Sequence, residues 1–166
     1  MNKEKEFEEI YKKYSKGVYN YLIFLTFSKD EAEDILQDVF LKLWKIFDRL
    51  KNTQNLRTYL FKIARSRFID LKRKEMGKKF IELNEELLIF NDNCFDLQIK
   101  KKEFIRKILQ SLDEEEREII ILRFYENLKF REISEILSIN ENTLRVKYLR
   151  ILEKLKRIIY NKNYER

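Results

Sequence analysis

The side chains best suited to a specific chemistry in this sequence lie between Asn142 and Arg150. Asn142, Arg145, Val146, Leu149 and Arg150 recur at helical spacing, so a helix gathers them on one face. Arg and Asn carry paired hydrogen-bonding groups that match guanine and adenine edges in a major groove, and Val or Leu can cover a thymine methyl. That chemistry is recognition, not bond-making. The other face of the same run holds Leu144, Tyr148, Ile151 and Leu155 at steps of four, three and four, a stripe that needs burial. Ahead of it, Ile133, Ile136 and Leu137 form the apolar side of a shorter helix, and Ser138-Ile139-Asn140 breaks the pattern. Asn140 stands where an N-cap belongs. A bracing helix, a tight turn and a donor-rich second helix make a helix-turn-helix over Phe130 to Leu155. On these residues alone, a plain helical hairpin with a solvated basic face stays open as the alternative.

Nothing comparable points to catalysis. The chain has no histidine, which removes Ser–His and Cys–His nucleophile pairs and most zinc sites. Glu114, Glu115 and Glu116 sit where a helix start favours negative charge, so capping explains them better than acid–base work. No catalytic residue and no metal ligand is expected. The single cysteine, Cys94, forbids an internal disulfide and points to a reducing compartment. The opening MNKEKEFEEI is too charged for a signal peptide, and no apolar run approaches the ~18 residues of a membrane span. A cytoplasmic protein without stable membrane insertion is the expectation. A formal charge of +7 favours a polyanionic partner.

The elements that position these residues are all helical. Proline is absent and there are only two glycines in 166 residues, so few positions demand a break. A first helix is predicted over Lys5 to Phe27, with Phe7, Ile10, Tyr11, Tyr14, Val18, Tyr21, Leu22 and Leu25 inside. Ser28 and Glu31 suit a capping box that opens a second helix to Phe47, burying Ala32, Ile35, Leu36, Val39, Phe40, Leu43 and Trp44. Its outer face shows Asp34, Gln37, Asp38, Leu41 and Lys45. Asp48 to Asn55 is polar and turn-forming, and Asn55 can cap a third helix to Glu75 with Leu56, Tyr59, Leu60, Ile63, Ala64, Phe68 and Leu71 inside. Between Arg57 and Lys79 stand nine basic residues against Asp70 and Glu75, beside exposed Asn, Thr and aromatic side chains. That mixture suits a phosphate backbone with stacked or splayed bases. The sign then reverses: Glu82 to Asp96 holds five acids and no base and reads as a linker, with a hinge near Met76-Gly77. Four more helices follow, over Leu97 to Gln110, Glu114 to Glu126 and the helix-turn-helix pair, with a capping box at Asp113 and Glu116 and a left-handed stop at Asn127. The fold class is all-α, with two small helical domains at 1–76 and 96–166 joined by a flexible linker at 77–95.

With both halves laid out, the chain resembles an extracytoplasmic-function sigma factor, a group within the sigma-70 family of bacterial RNA polymerase. The run Glu31-Ala32-Glu33-Asp34-Ile35-Leu36-Gln37-Asp38-Val39-Phe40-Leu41-Lys42-Leu43-Trp44 is similar to that family's region two, and Leu56 to Arg65 with Ile69-Asp70 continues it. Leu112 to Arg117, Leu122-Arg123-Phe124 and the helix-turn-helix resemble region four. Ser66, Asp113, Ser138, Asn142 and Leu149 depart from the residues frequent there. The resemblance implies that Asp34, Gln37, Asp38 and Leu41 dock on the polymerase clamp helices. It implies that the loop with Asn52, Thr53 and Asn55 captures a flipped base of the minus-ten element. Arg57, Tyr59, Lys62, Arg65, Ser66 and Lys72 would hold and open that DNA. Asn142, Thr143, Arg145, Val146, Leu149 and Arg150 would read the minus-thirty-five element as duplex, and the acidic linker would lie in the RNA exit channel. Core RNA polymerase, promoter DNA and an anti-sigma factor are the implied partners, with no cofactor and no small-molecule substrate. Two other readings stand beside it: a stand-alone helix-turn-helix regulator, and a DNA-processing enzyme such as a recombinase, for which no nucleophile is in sight.

Overall fold

A computed structural model describes residues 2–50, 52–76 and 99–164. The chain divides into two compact units, Met1–Ile89 and Phe90–Arg166, each with its own core. In the first, helices α1 (Lys3–Thr26), α2 (Lys29–Leu50) and α3 (Leu56–Glu75) all pack on one another. Val18, Tyr21, Leu22, Val39, Leu43, Phe47 and Leu60 have no exposed surface, and the Tyr21 and Phe61 rings meet edge-on at 5.3 Å. The hairpin between α1 and α2 is set by local chemistry. Phe27 takes a left-handed conformation at φ 51°, and the Thr26 hydroxyl donates to the Leu22 carbonyl at 2.9 Å. The Glu31 N–H then donates to Ser28 Oγ at 3.3 Å, the N-cap contact that starts α2.

Four expectations about this unit need correction. Helix α2 runs past Phe47 to Leu50, because fully buried Phe47 anchors the last turn and Asp48 is tied to Lys3 at 3.0 Å. Asn55 occupies the N-cap position of α3 without a side-chain cap; its carbonyl accepts the Tyr59 N–H at 3.0 Å and its amide stays at an exposed position. Trp44, expected inside, is 37% exposed, and Tyr11 is exposed too. Both lie at the rim where the apolar stripes of α1 and α2 run wider than the contact between them.

The second unit comprises α4 (Ile99–Gln110), α5 (Glu114–Ile120) with a π turn over Ile121–Tyr125, α6 (Phe130–Leu137) and α7 (Glu141–Tyr164). The capping box forms as the sequence predicts: Asp113 Oδ1 accepts the Glu116 N–H at 2.8 Å and the Glu116 carboxylate accepts the Asp113 N–H at 3.0 Å. Arg117 donates to the Leu109 and Leu112 carbonyls at 3.0 and 3.1 Å, tying α5 to the end of α4 and the turn that follows it. The π turn departs from the unbroken α-helix predicted to Glu126. The Glu126 N–H reaches back five residues to the Ile121 carbonyl at 2.9 Å; Ile121 and Leu122 at the start of the turn are buried, and Phe124 faces outward at 78% exposure. Asn127 closes the segment in the left-handed region at φ 54°, as predicted. Ile119, Leu122, Leu128, Ile133 and Leu144 form the fully buried centre. The acidic run, its predicted linker role and the predicted helix start at Leu97 lie outside the described residues.

Candidate nucleic-acid and docking faces

The turn that aims the second helix is built from small polar residues. Ser138 is left-handed at φ 55°, the Ser134 hydroxyl donates to the Ile139 carbonyl at 2.6 Å, and Asn140 Oδ1 caps α7 by accepting the Asn142 N–H at 2.9 Å. On α7, Leu144 and Ile151 face the core. At ~100° per residue, Asn142, Thr143, Arg145, Val146, Leu149 and Arg150 fall within about 160° of one another on the far side. All six are exposed, Val146 at 48% and Leu149 at 61%. Two ion pairs fasten α7 to the start of α5, Lys147 with Glu115 and Lys154 with Glu116, the latter at 2.6 Å. Arg145 is held by two contacts at its guanidinium. Its Nη2 donates to Glu141 Oε1 at 2.7 Å, and its guanidinium lies 4.6 Å from the centre of the Phe130 ring. Sequence spacing revealed the face but not this clamp, since Phe130 reads as a helix-start residue.

In the first unit, Asn52, Thr53 and Asn55 are exposed just ahead of α3, with the Thr53 N–H donating to the Leu50 carbonyl at 2.9 Å. Tyr59, Lys62 and Ser66 follow on one side of α3 at helical spacing, and Arg65 flanks them. Arg57 does not join them. It stands about 180° from Ser66 around the axis, with its guanidinium 6.0 Å from the Phe61 ring. Lys72 lies over Phe68 at 5.3 Å, near a pair of carboxyls from two helices, Glu31 and Glu75. Burial pushes the Glu31 carboxyl above its usual range, its hydrogen-bonded neighbour Glu75 adds to the rise, and the Lys72 ammonium pulls the other way.

On α2, Asp34, Gln37 and Leu41 line an open groove of about 550 Å³ between α1 and α2, while Asp38 is exposed beside it. The sequence reading missed what the groove owes to aromatic residues: Phe7, Tyr11, Phe40 and Trp44 supply its apolar wall. The Trp44 ring stands edge-on to Phe7 at 5.0 Å with the Lys3 ammonium 4.8 Å above it. The i, i+4 pairs Phe7/Tyr11 and Phe40/Trp44 were the available signal. Carboxylates and an amide rim the wall, which suits a partner that buries apolar side chains and presents cations at the edge. Among the described residues no helix is long and apolar enough to cross a membrane.

A helix-turn-helix in one unit and a three-helix unit with a basic third helix make this an all-α protein of the kind that binds nucleic acid. Comparison with known proteins narrows this. Residues 10–77 match the model of Sigma-70 region 2 and residues 103–155 that of Sigma-70, region 4. The chain is 30% identical over 159 residues to the ECF RNA polymerase sigma factor SigM of Bacillus subtilis, covering 93% of this chain and 95% of the relative. It is 32% identical over 131 residues to the RNA polymerase sigma factor SigV of the same organism, covering 79% and 76% respectively. In fold it is similar to the sigma factor RpoE, solved with the anti-sigma factor NepR from Bartonella quintana, at a TM-score of 0.77 and 24% identity over 94% of this chain and 98% of that one. The chain belongs to the sigma-70 family of RNA polymerase sigma factors, which confer promoter-specific initiation of transcription, and within it to the extracytoplasmic-function group.

Proposed function

We propose that this chain divides promoter-specific initiation between its two units as follows. The α1–α2 groove with Asp34, Gln37, Asp38 and Leu41 docks on core RNA polymerase. The exposed Asn52, Thr53 and Asn55 with Tyr59, Lys62, Arg65 and Ser66 hold the opened minus-ten strand, while Arg57 and Lys72 meet phosphates at its flanks. The α7 face from Asn142 to Arg150 reads the minus-thirty-five duplex. The limits 1–76 and 96–166 bound the two working units, with 77–95 between them. The chain acts in the cytoplasm, and phosphodiester chemistry is left to the polymerase.

The observation that carries this reading is the coexistence, on separate units, of a carboxylate-rimmed apolar groove and an exposed Asn/Arg/Val/Leu helix face. An anti-sigma factor that covers the groove would compete with polymerase for it, which gives a physical route to control. Run-off transcription with purified core enzyme, on promoters enriched from a genomic library, is the test. A selective transcript that depends on this chain supports the reading. Duplex binding by the isolated protein together with no affinity for core enzyme would replace it with a stand-alone regulator.

A further inference from the structure

We propose that Glu141 and Phe130 are specificity-determining positioning residues, holding the Arg145 guanidinium over the ring and paired until a base edge with two acceptors displaces the carboxylate. The inference rests on the reading of α7 as the duplex-recognition helix.

The geometry comes from three elements. Phe130 is the first residue of α6, and the guanidiniums of both Arg145 and Arg123 lie over its ring, at 4.6 and 4.7 Å. Arg123, in the π turn, is itself fixed, because its Nη1 donates to the Leu128 carbonyl at 2.9 Å. Tyr148, one turn along α7 from Arg145, meets the Phe130 ring edge-on at 5.3 Å. The ring is thus braced by a fixed cation and an aromatic edge, and it in turn braces Arg145. Glu141 completes the arrangement by taking one N–H of Arg145 at 2.7 Å.

Two consequences follow from charge and shape. A guanidinium that rotates freely reaches phosphates of any sequence, which adds affinity without discrimination. Held over a ring, it presents its fork of donors in a restricted range of orientations, and that fork matches the paired N7 and O6 acceptors of guanine. The Glu141 carboxylate cancels its charge at long range, so a single phosphate oxygen gains little by replacing the existing bond. A guanine edge offers two acceptors in the same plane and gains more. The pair therefore weakens binding to random duplex more than binding to the cognate site.

The test uses holoenzyme assembled from core polymerase and the full chain. Probes are duplexes selected by the wild-type holoenzyme, varied one base pair at a time in the upstream element, plus a probe with that element scrambled and the downstream element kept. Glu141→Gln should bind the scrambled probe at least about threefold tighter, with a salt dependence steeper by roughly one unit. Its preference should shrink at the same base pair to which Arg145→Ala is indifferent. Phe130→Leu should lose about fivefold or more in preference at that base pair with an unchanged salt slope, and Phe130→Tyr, which keeps the ring, should retain it. Equal weakening on all probes by Glu141→Gln and Phe130→Leu, with the Arg145-dependent base pair still discriminated, would make their role structural and overturn the proposal. A wild-type holoenzyme without preference at any upstream base pair would instead overturn the reading of α7, and the proposal with it.

Discussion

Leu41 and Trp44 show how a single position on an amphipathic helix changes meaning with its angle to the core. Both are large and apolar, and spacing alone assigns Leu41 outward and Trp44 inward. In the fold both are exposed, Leu41 at 52%, because Leu43 and Phe47 fill the interior between them. Exposed apolar groups that gather in one groove mark a contact surface. Leu41→Ala should therefore weaken core-polymerase binding by about 1–2 kcal/mol, as the loss of a buried apolar anchor does, while chain stability moves by less than about 0.5 kcal/mol. Fluorescence anisotropy of labelled chain against core enzyme, beside urea unfolding, separates the two effects. A stability loss as large as the binding loss would mean that Leu41 serves the fold. Glu31 gives a prediction with a definite sign. Its carboxyl titrates above its ordinary value, so the fold favours the protonated form. The stability this contributes is complete below the ordinary carboxylate range and is lost as pH rises through the raised folded value. Ionised Glu31, partly buried and beside Glu75, therefore opposes folding at neutral pH. Glu31→Gln should raise the melting temperature at pH 7, and the difference from the parent should close as pH falls to about 4. A gap that is the same at both pH values would remove the ionisation of Glu31, through its burial and its neighbour Glu75, as the cause. Neither carboxyl was legible as a pair, since the two stand on different helices.

At the scale of elements, legibility follows the range of the interactions that define them. The helix starts at Asp113 and Asn140 depend on side chains reaching two or three residues along the chain, and both caps form as spacing predicts. Asn55 fails as a cap because the backbone there is not extended, a fact fixed by the preceding turn and not by the residue type. The π turn over Ile121–Tyr125 was invisible because the bond that defines it, from the Glu126 N–H to the Ile121 carbonyl five residues back, has no residue-type signature in the sequence. Ser138 marks a place where sequence and structure disagree in energy. A non-glycine residue at φ 55° carries a steric cost that glycine lacks. Ser138→Gly should stabilise the helix-turn-helix unit by about 0.5–1 kcal/mol after the greater freedom of glycine in the unfolded chain is offset. Thermal unfolding of the full chain measures it. A loss of stability would show that the Ser138 side chain contributes to the turn.

For the whole molecule, the division into two units has a thermodynamic consequence. Each unit has its own buried centre, Val18, Leu43 and Phe47 in one and Ile119, Ile133 and Leu144 in the other. Both are small, and a core of this size supplies only ~3–5 kcal/mol of net stability. Phe47 has no exposed surface and meets the Phe7 ring edge-on at 5.6 Å. Truncating such a side chain costs ~3–5 kcal/mol, comparable with everything its unit has to lose. Phe47→Ala should therefore unfold α1 to α3 as a unit in solution. Helices α5 to α7 have buried side chains of their own, and the Asp113 cap, the Lys147–Glu115 and Lys154–Glu116 pairs and the Ser134 turn bond close within that unit. Native-state hydrogen exchange on the full chain reads this directly. Amides in Lys3–Glu75 should lose protection in the variant, while those in Glu114–Tyr164 should exchange as in the parent. Loss of protection in both stretches would show that the units fold as one cooperative body. Retained protection in both would show that the first unit draws its stability from outside its own core, and either result would remove the basis for treating the two as separately built.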